Sequence, residues 1–156
     1  AWFDGYHGEA GRSAAKFTAD GRYYLTGDTA MVDADGYFTF SSRDDDLIIM
    51  AGYRIGPFEV ESTLATHPAV AESAVIAVPD AVRGEVIEAY VVLRGGHAPS
   101  PELERELQLW VKQRFAAHAY PRAIHFIDAM PKTPSGKIQR FLLKQRRLDE
   151  LAGAKS

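Results

Sequence analysis

Apolar positions change their spacing along this chain, and each change marks an element. Residues 22–25 and 29–32 alternate apolar with polar groups, as short half-buried strands do. Asp33, Ala34, Asp35 and Gly36 form a hairpin signal, and residues 37–41, rich in aromatics and threonine, supply the return strand. Residues 47–50 are a short apolar strand. Pro57 stands where a first helical residue would, with Glu59 and Glu61 near the positive end of the helix dipole. Phe58, Val60 and Leu64 make the buried side of that helix, which ends near His67 and Pro68. Residues 70–78 and 86–93 are apolar and β-branched and predict core strands. Ser100 and Pro101 cap the next helix, where Leu103, Leu107, Trp110 and Val111 recur at helical spacing. Residues 123–127 are a third core strand. A loop follows, then a helix with Ile138, Phe141, Leu142 and Leu148 inward.

These elements predict an α+β domain over residues 46–156, built on a small three-stranded sheet with flanking helices. Residues 1–45 look like trailing β-hairpins of a preceding large domain, with a hinge at their end. Without that domain they have little to pack on, so they are expected to be poorly ordered or to pair across a dimer.

Composition mainly excludes. Of 156 residues, 46% are hydrophobic and 25% charged, a globular balance. The net charge of −3 gives no global attraction to nucleic acid or an anionic membrane. The absence of cysteine removes disulfides, thiolate metal sites and a cysteine nucleophile, and suits the cytoplasm. No apolar run approaches the roughly 20 residues of a membrane span, and residues 1–4 lack a signal-peptide pattern. No cluster suggests a metal site, and no Gly-rich loop could wrap a triphosphate. The opening residues read as the middle of something, so the chain is expected to be a fragment.

Three segments carry chemistry. Thr133, Pro134, Ser135, Gly136 and Lys137 set a lysine on a turn ahead of a basic amphipathic helix. Glycine and proline fix an unusual backbone path there, and the lysine is a mobile point charge suited to phosphate or carboxylate. Read alone, the segment suits an ordinary surface loop better. Tyr23, Tyr24, Leu25, Thr26, Gly27 and Asp28 end an aromatic run in a turn, where Asp28 suits ribose hydroxyls or plain turn formation. Residues 43–61 gather charge, glycine and arginine around the strand at 47–50. The run of Asp44, Asp45 and Asp46 repels itself and reads as a solvated connector.

In this order and spacing the three blocks resemble the C-terminal end of the AMP-forming acyl-CoA synthetases, of the adenylate-forming superfamily. With residues 79–85 they look most like the medium-chain branch. The resemblance covers nearly the whole chain, from about Tyr23 to Leu148. It implies an acid–thiol ligase that activates a carboxylic acid, a medium-chain fatty acid in that branch, with ATP and its Mg²⁺. The acyl group then passes to coenzyme A. It implies Lys137 as catalytic, and Asp28, Arg43, Arg54 and Lys137 as nucleotide contacts. Ala51, Gly52, Tyr53, Arg83, Lys112, Tyr120, Pro121 and Arg122 match coenzyme A positions, and Asp45 the hinge. For Arg83 and Lys112 an exposed charge without a ligand is an equal reading. Two positions depart from the family: Ile49, where lysine or asparagine is common, and Ala51, where serine is. The triple aspartate adds an acid to the usual pair. An aryl-CoA ligase, a carrier-protein-loading adenylation domain and a stand-alone nucleotide-binding module are the alternatives. The fragment alone is expected to be inactive, its partners being the acid, ATP, coenzyme A and the large N-terminal domain in cis.

Overall fold

The structure is a computed structural model that describes residues 3–43 and 46–153. The chain divides into two compact units, Ala1–Asp45 and Asp46–Ser156.

In the first unit a short helix α1 (Ala10–Ala14) precedes a hairpin of β1 (Asp28–Val32) and β2 (Phe38–Arg43). The Asp33 carboxylate closes the turn, accepting from the Asp35 and Tyr37 amides at 3.0 and 2.9 Å. Gly36, at φ +86°, supplies the left-handed step. The pairing is antiparallel and slips between Thr29 and Ala30. Residues 22–25 depart from expectation. They form no strand, only the single bridge Phe17–Tyr24. Rings decide this segment's path: Tyr24 packs against Phe3 and Phe17 at centroid distances of 5.4 and 5.7 Å. The hairpin leaves large side chains open, Tyr37 and Phe38 being 72% and 77% exposed.

The second unit runs β3 (Ile48–Met50), β4 (Tyr53–Ile55), α2 (Pro57–Ala65), β5 (Val70–Asp80), β6 (Gly84–Leu93), α3 (Pro101–Arg114), β7 (Ala123–Phe126) and α4 (Arg140–Gly153). The three expected strands are the centre of its sheet: β6 pairs antiparallel with β5 and parallel with β7. The sheet has five strands, because the β3–β4 hairpin joins β6 through the Met50–Gly84 rung. Ile48, Met50 and Ile55 hold that hairpin to the core by side-chain burial. Residues 86–91 of β6 are buried on both faces, which explains their unbroken apolar run. Helix α2 packs through Val60 and Leu64, and α3 through Leu107 and Val111. The Ser100 hydroxyl caps α3 by accepting from the Leu103 amide at 3.1 Å.

Three inward assignments are corrected. On α2, Pro57 is buried and Phe58 is 52% exposed. On α4, Leu143 is the buried residue, while Phe141 and Leu142 face out at 65% and 42% exposure. Charge sets the phase of α4. Arg140 and Arg147 point inward with Leu143, at helical spacings of three and four residues. Arg140 grips Glu61 and Arg147 grips Glu88. Glu88 is 6% exposed and accepts from Arg147 Nε and lies beside His125 Nε2, both at 2.7 Å. Burial alone would raise the Glu88 carboxyl, but these bonds outweigh it and hold the group below the ordinary carboxylate range. No helix among the described residues is long and apolar enough to cross a membrane.

Candidate active site

Lys137 stands on a loop closed at its neck. The Thr133 amide donates to the Lys137 carbonyl at 2.8 Å, and the Lys137 amide donates to Thr133 Oγ1 at 3.1 Å. Inside that ring the Gly136 amide donates to the Thr133 carbonyl at 2.8 Å, with Gly136 at φ +84°. A backbone bridge between Lys132 and Ile138 lies below the neck, and Lys132 Nζ reaches Glu72 on β5 at 2.8 Å. Lys137 itself is exposed, and among the described residues no group pairs with its ammonium. The backbone is fixed and the charge is free.

Below this loop sequence reading missed a second tie. Arg140 Nε and Nη2 donate to the two Glu61 oxygens at 3.0 and 2.7 Å, and its Nη1 lies 3.8 Å from Asp46. Glu61 also accepts from the Val75 amide at 2.8 Å. The only signal in the sequence is spacing, an arginine three residues past the lysine.

A different group gathers at the Gly84 end of β6. The β3–β4 turn carries Ala51 at φ +50° and Gly52 at φ +84°. Its Ala51 amide donates to the Arg83 carbonyl at 3.0 Å, joining two of the sequence-predicted positions directly. Tyr53 stacks on His118, ring centroids 4.1 Å apart, so the turn meets the loop that leads to Tyr120. The Arg122 guanidinium lies 4.0 Å from the Tyr120 ring centre and bonds the phenol oxygen, while Lys112 Nζ lies 5.6 Å from the same ring. Pro121 is fully buried between them in sequence and fixes the corner. Arg122 Nε is buried with no acceptor among the described residues. A cavity of about 230 Å³ opens beside Tyr120 and Lys112, lined also by Arg105, Gln108 and Leu109. The Asp80 carboxyl sits below its ordinary range because the Arg83 and Val82 amides donate to it, with the charges of Arg83 and Arg122 adding to the effect. Two cations on one ring, with Arg105 lining the same cavity, suit a phosphorylated purine. His118, Arg105 and Gln108 were not read from sequence; His118 stands only two residues before Tyr120.

The remaining predicted residues separate. Asp28 and Arg43 face each other across the open end of the β1–β2 hairpin, 3.7 Å apart and half exposed. Asp28 sits on the expected turn, its amide donating to Thr26 Oγ1 at 3.1 Å. Arg54 lies on β4 opposite Ile49, exposed and without an ion-pair partner among the described residues. Asp45, the expected hinge, lies outside the described residues.

A small α+β unit of this build defines a component of AMP-binding enzymes. Residues 59–137 match the family model of the AMP-binding enzyme C-terminal domain, and the chain belongs to that family. Its relatives include the acetyl-coenzyme A synthetase of Bacillus subtilis (strain 168), 54% identical over 133 residues. That match covers 85% of this chain and 23% of the relative. The mitochondrial acyl-coenzyme A synthetase ACSM5 of Homo sapiens is 53% identical over 128 residues, 81% of this chain and 22% of that protein. Among solved structures, the ATP-bound RpMatB-BxBclM chimera B1 superposes with a TM-score of 0.85 at 38% identity. It covers 92% of this chain and 28% of its own. The chain thus spans about a quarter of the length of the curated relatives it matches.

Proposed function

We propose that this chain is the C-terminal portion of an acid–thiol ligase whose large domain precedes it in cis. In the first half-reaction a carboxylate attacks the α-phosphorus of ATP, forming an acyl-adenylate and releasing diphosphate. In the second, the coenzyme A thiol attacks the acyl carbon and AMP leaves. Lys137 offsets the repulsion between carboxylate and α-phosphate as charge builds, the task that rewards a fixed cation most. Asp28 and Arg43 hold the nucleotide with Arg54, and Mg²⁺ arrives with ATP. Ala51, Gly52, Tyr53 and Arg83 flank the pantetheine arm; Lys112, Tyr120, Pro121 and Arg122 hold the nucleotide end of coenzyme A. A medium-chain fatty acid in the cytoplasm is the substrate and setting that fit the sequence best, although some relatives are named as mitochondrial enzymes. The isolated chain makes no acyl-adenylate.

One observation carries this reading. The neck of the Lys137 loop is tied to β5 at Glu72, which pairs with Val92, whereas the Gly52 turn is tied at Arg83 and Gly84. Those anchor points lie eight residues apart along β6, about 27 Å at the usual strand rise. Two chemistries at opposite ends of one rigid sheet fit an enzyme that uses them in turn. The test is AMP-release kinetics on the full-length enzyme with acids from short to medium length and aromatic acids. Lys137→Ala is expected to slow adenylation by about 10²- to 10³-fold. An unchanged rate would remove the assignment.

A further inference from the structure

The Lys137 loop could be held in place by its own turn alone, yet the residue at the head of α4 does more than start a helix. Arg140 is three residues from Lys137 and 30% exposed, and Glu61 is 13% exposed. Their bidentate contact is the geometry in which a planar fork gives most directional hold. Glu61 cannot swing away, because its Oε1 also accepts from the Val75 amide of β5. The third guanidinium nitrogen turns to Asp46, the first residue of this unit and the neighbour of the expected hinge at Asp45. One side chain therefore joins α2, β5, the loop that carries the lysine and the residue where the connector ends.

We propose that Arg140 is a positioning residue for adenylation: it fixes the backbone of the Lys137 loop relative to Asp46, so that the base of the lysine and the start of the unit turn as one body. This rests on the reading of Lys137 given above. The Arg140 guanidinium is taken up by Glu61 and Asp46, which among the described residues leaves the lysine as the free cation of the pair. Its loss lets the head of α4, and the loop before it, shift against the sheet, and a misplacement of about 1 Å can cost on the order of 100-fold in rate. Among the described residues the coenzyme A face takes no hydrogen bond from Arg140, since its ties run to the Arg83 and Ile87 carbonyls and from Gln108 to the Arg122 carbonyl.

The experiment uses the full-length enzyme and measures each half-reaction separately, supplying synthetic acyl-adenylate and coenzyme A for the second. Arg140→Ala should lower kcat of adenylation by about 10- to 100-fold, leaving KM for ATP and the second half-reaction at parent values. Arg140→Lys, which keeps the charge and loses the fork, should fall between. Glu61→Gln should reproduce part of the loss, and adding it to Arg140→Ala should cost nothing more, as expected for two members of one contact. Equal losses in both half-reactions with a lowered Tm would overturn the proposal by making Arg140 merely structural. So would a parent rate in Arg140→Ala while Lys137→Ala is slow. If Lys137→Ala also ran at the parent rate, the functional reading itself would be the failure.

Discussion

Ala51 and Gly52 share a left-handed backbone, but for different reasons. Ala51 carries a side chain at φ +50°, where an L-residue is strained by about 1–2 kcal/mol. Gly52 adopts φ +84°, and a β-carbon there would meet nothing within 4 Å among the described residues beyond its chain neighbours. The space over Gly52 is thus open, and what it admits under the proposed function is the coenzyme's arm. Gly52→Ala is expected to raise KM for coenzyme A in the full-length enzyme, leaving the adenylation rate at its parent value and costing about 1 kcal/mol of stability through backbone strain. A drop in both half-reactions would place the effect in folding instead. The lysine at the other site is freer: its backbone is held by Thr133 from both directions, and its ammonium is not held at all among the described residues.

Much of the second unit was legible as elements because its core strands are buried on both sides, and an unbroken apolar run can mean little else. The turn at Asp33 and the caps at Pro57 and Ser100 were legible for the same kind of reason, a residue type with one local use. The face of α4 was not. Apolar spacing alone selected Phe141 and Leu142, whereas the true inward stripe mixes Leu143 with Arg140 and Arg147, whose acidic partners lie 79 and 59 residues earlier in the chain. The same limit hid the Tyr53–His118 stack, a contact between two loops. The residues grouped around the Gly52 turn and Tyr120 were selected only as a pattern; the rung that unites Ala51 with Arg83 is a backbone bond that no side chain announces. The α4 latch has a pH signature. Glu88 is held below its ordinary range by His125 and Arg147. Its stabilising share is therefore complete above the unfolded carboxylate range and is lost as pH falls through its lowered folded value. Parent and Glu88→Gln should differ in Tm by a constant amount near neutrality, the gap closing only in acid. A gap that closed between pH 8 and 6 would contradict this assignment.

Across the whole molecule, the proposed cycle asks one acyl-adenylate pocket to meet first Lys137 and then the Gly52 turn, anchored at opposite ends of β6. Neither end can bend to the other, because the β5–β6 ladder between them is continuous and its side chains are core. Under the proposed function the change comes from turning the unit as a body, with the torsion absorbed in the connector at the proposed hinge, Asp45. Asp45→Pro, which fixes φ near −65°, should depress one half-reaction far more than the other in the full-length enzyme. Equal loss in both would refute a pivot there. Rigidity also governs how the Lys137 loop can vary. The pairing of Thr133 with Lys137 closes across one fixed interval, so a residue gained or lost between them breaks both rungs at once. Descendants of this sequence can change Pro134 and Ser135 more readily than the left-handed Gly136, but not the number of residues between Thr133 and Lys137.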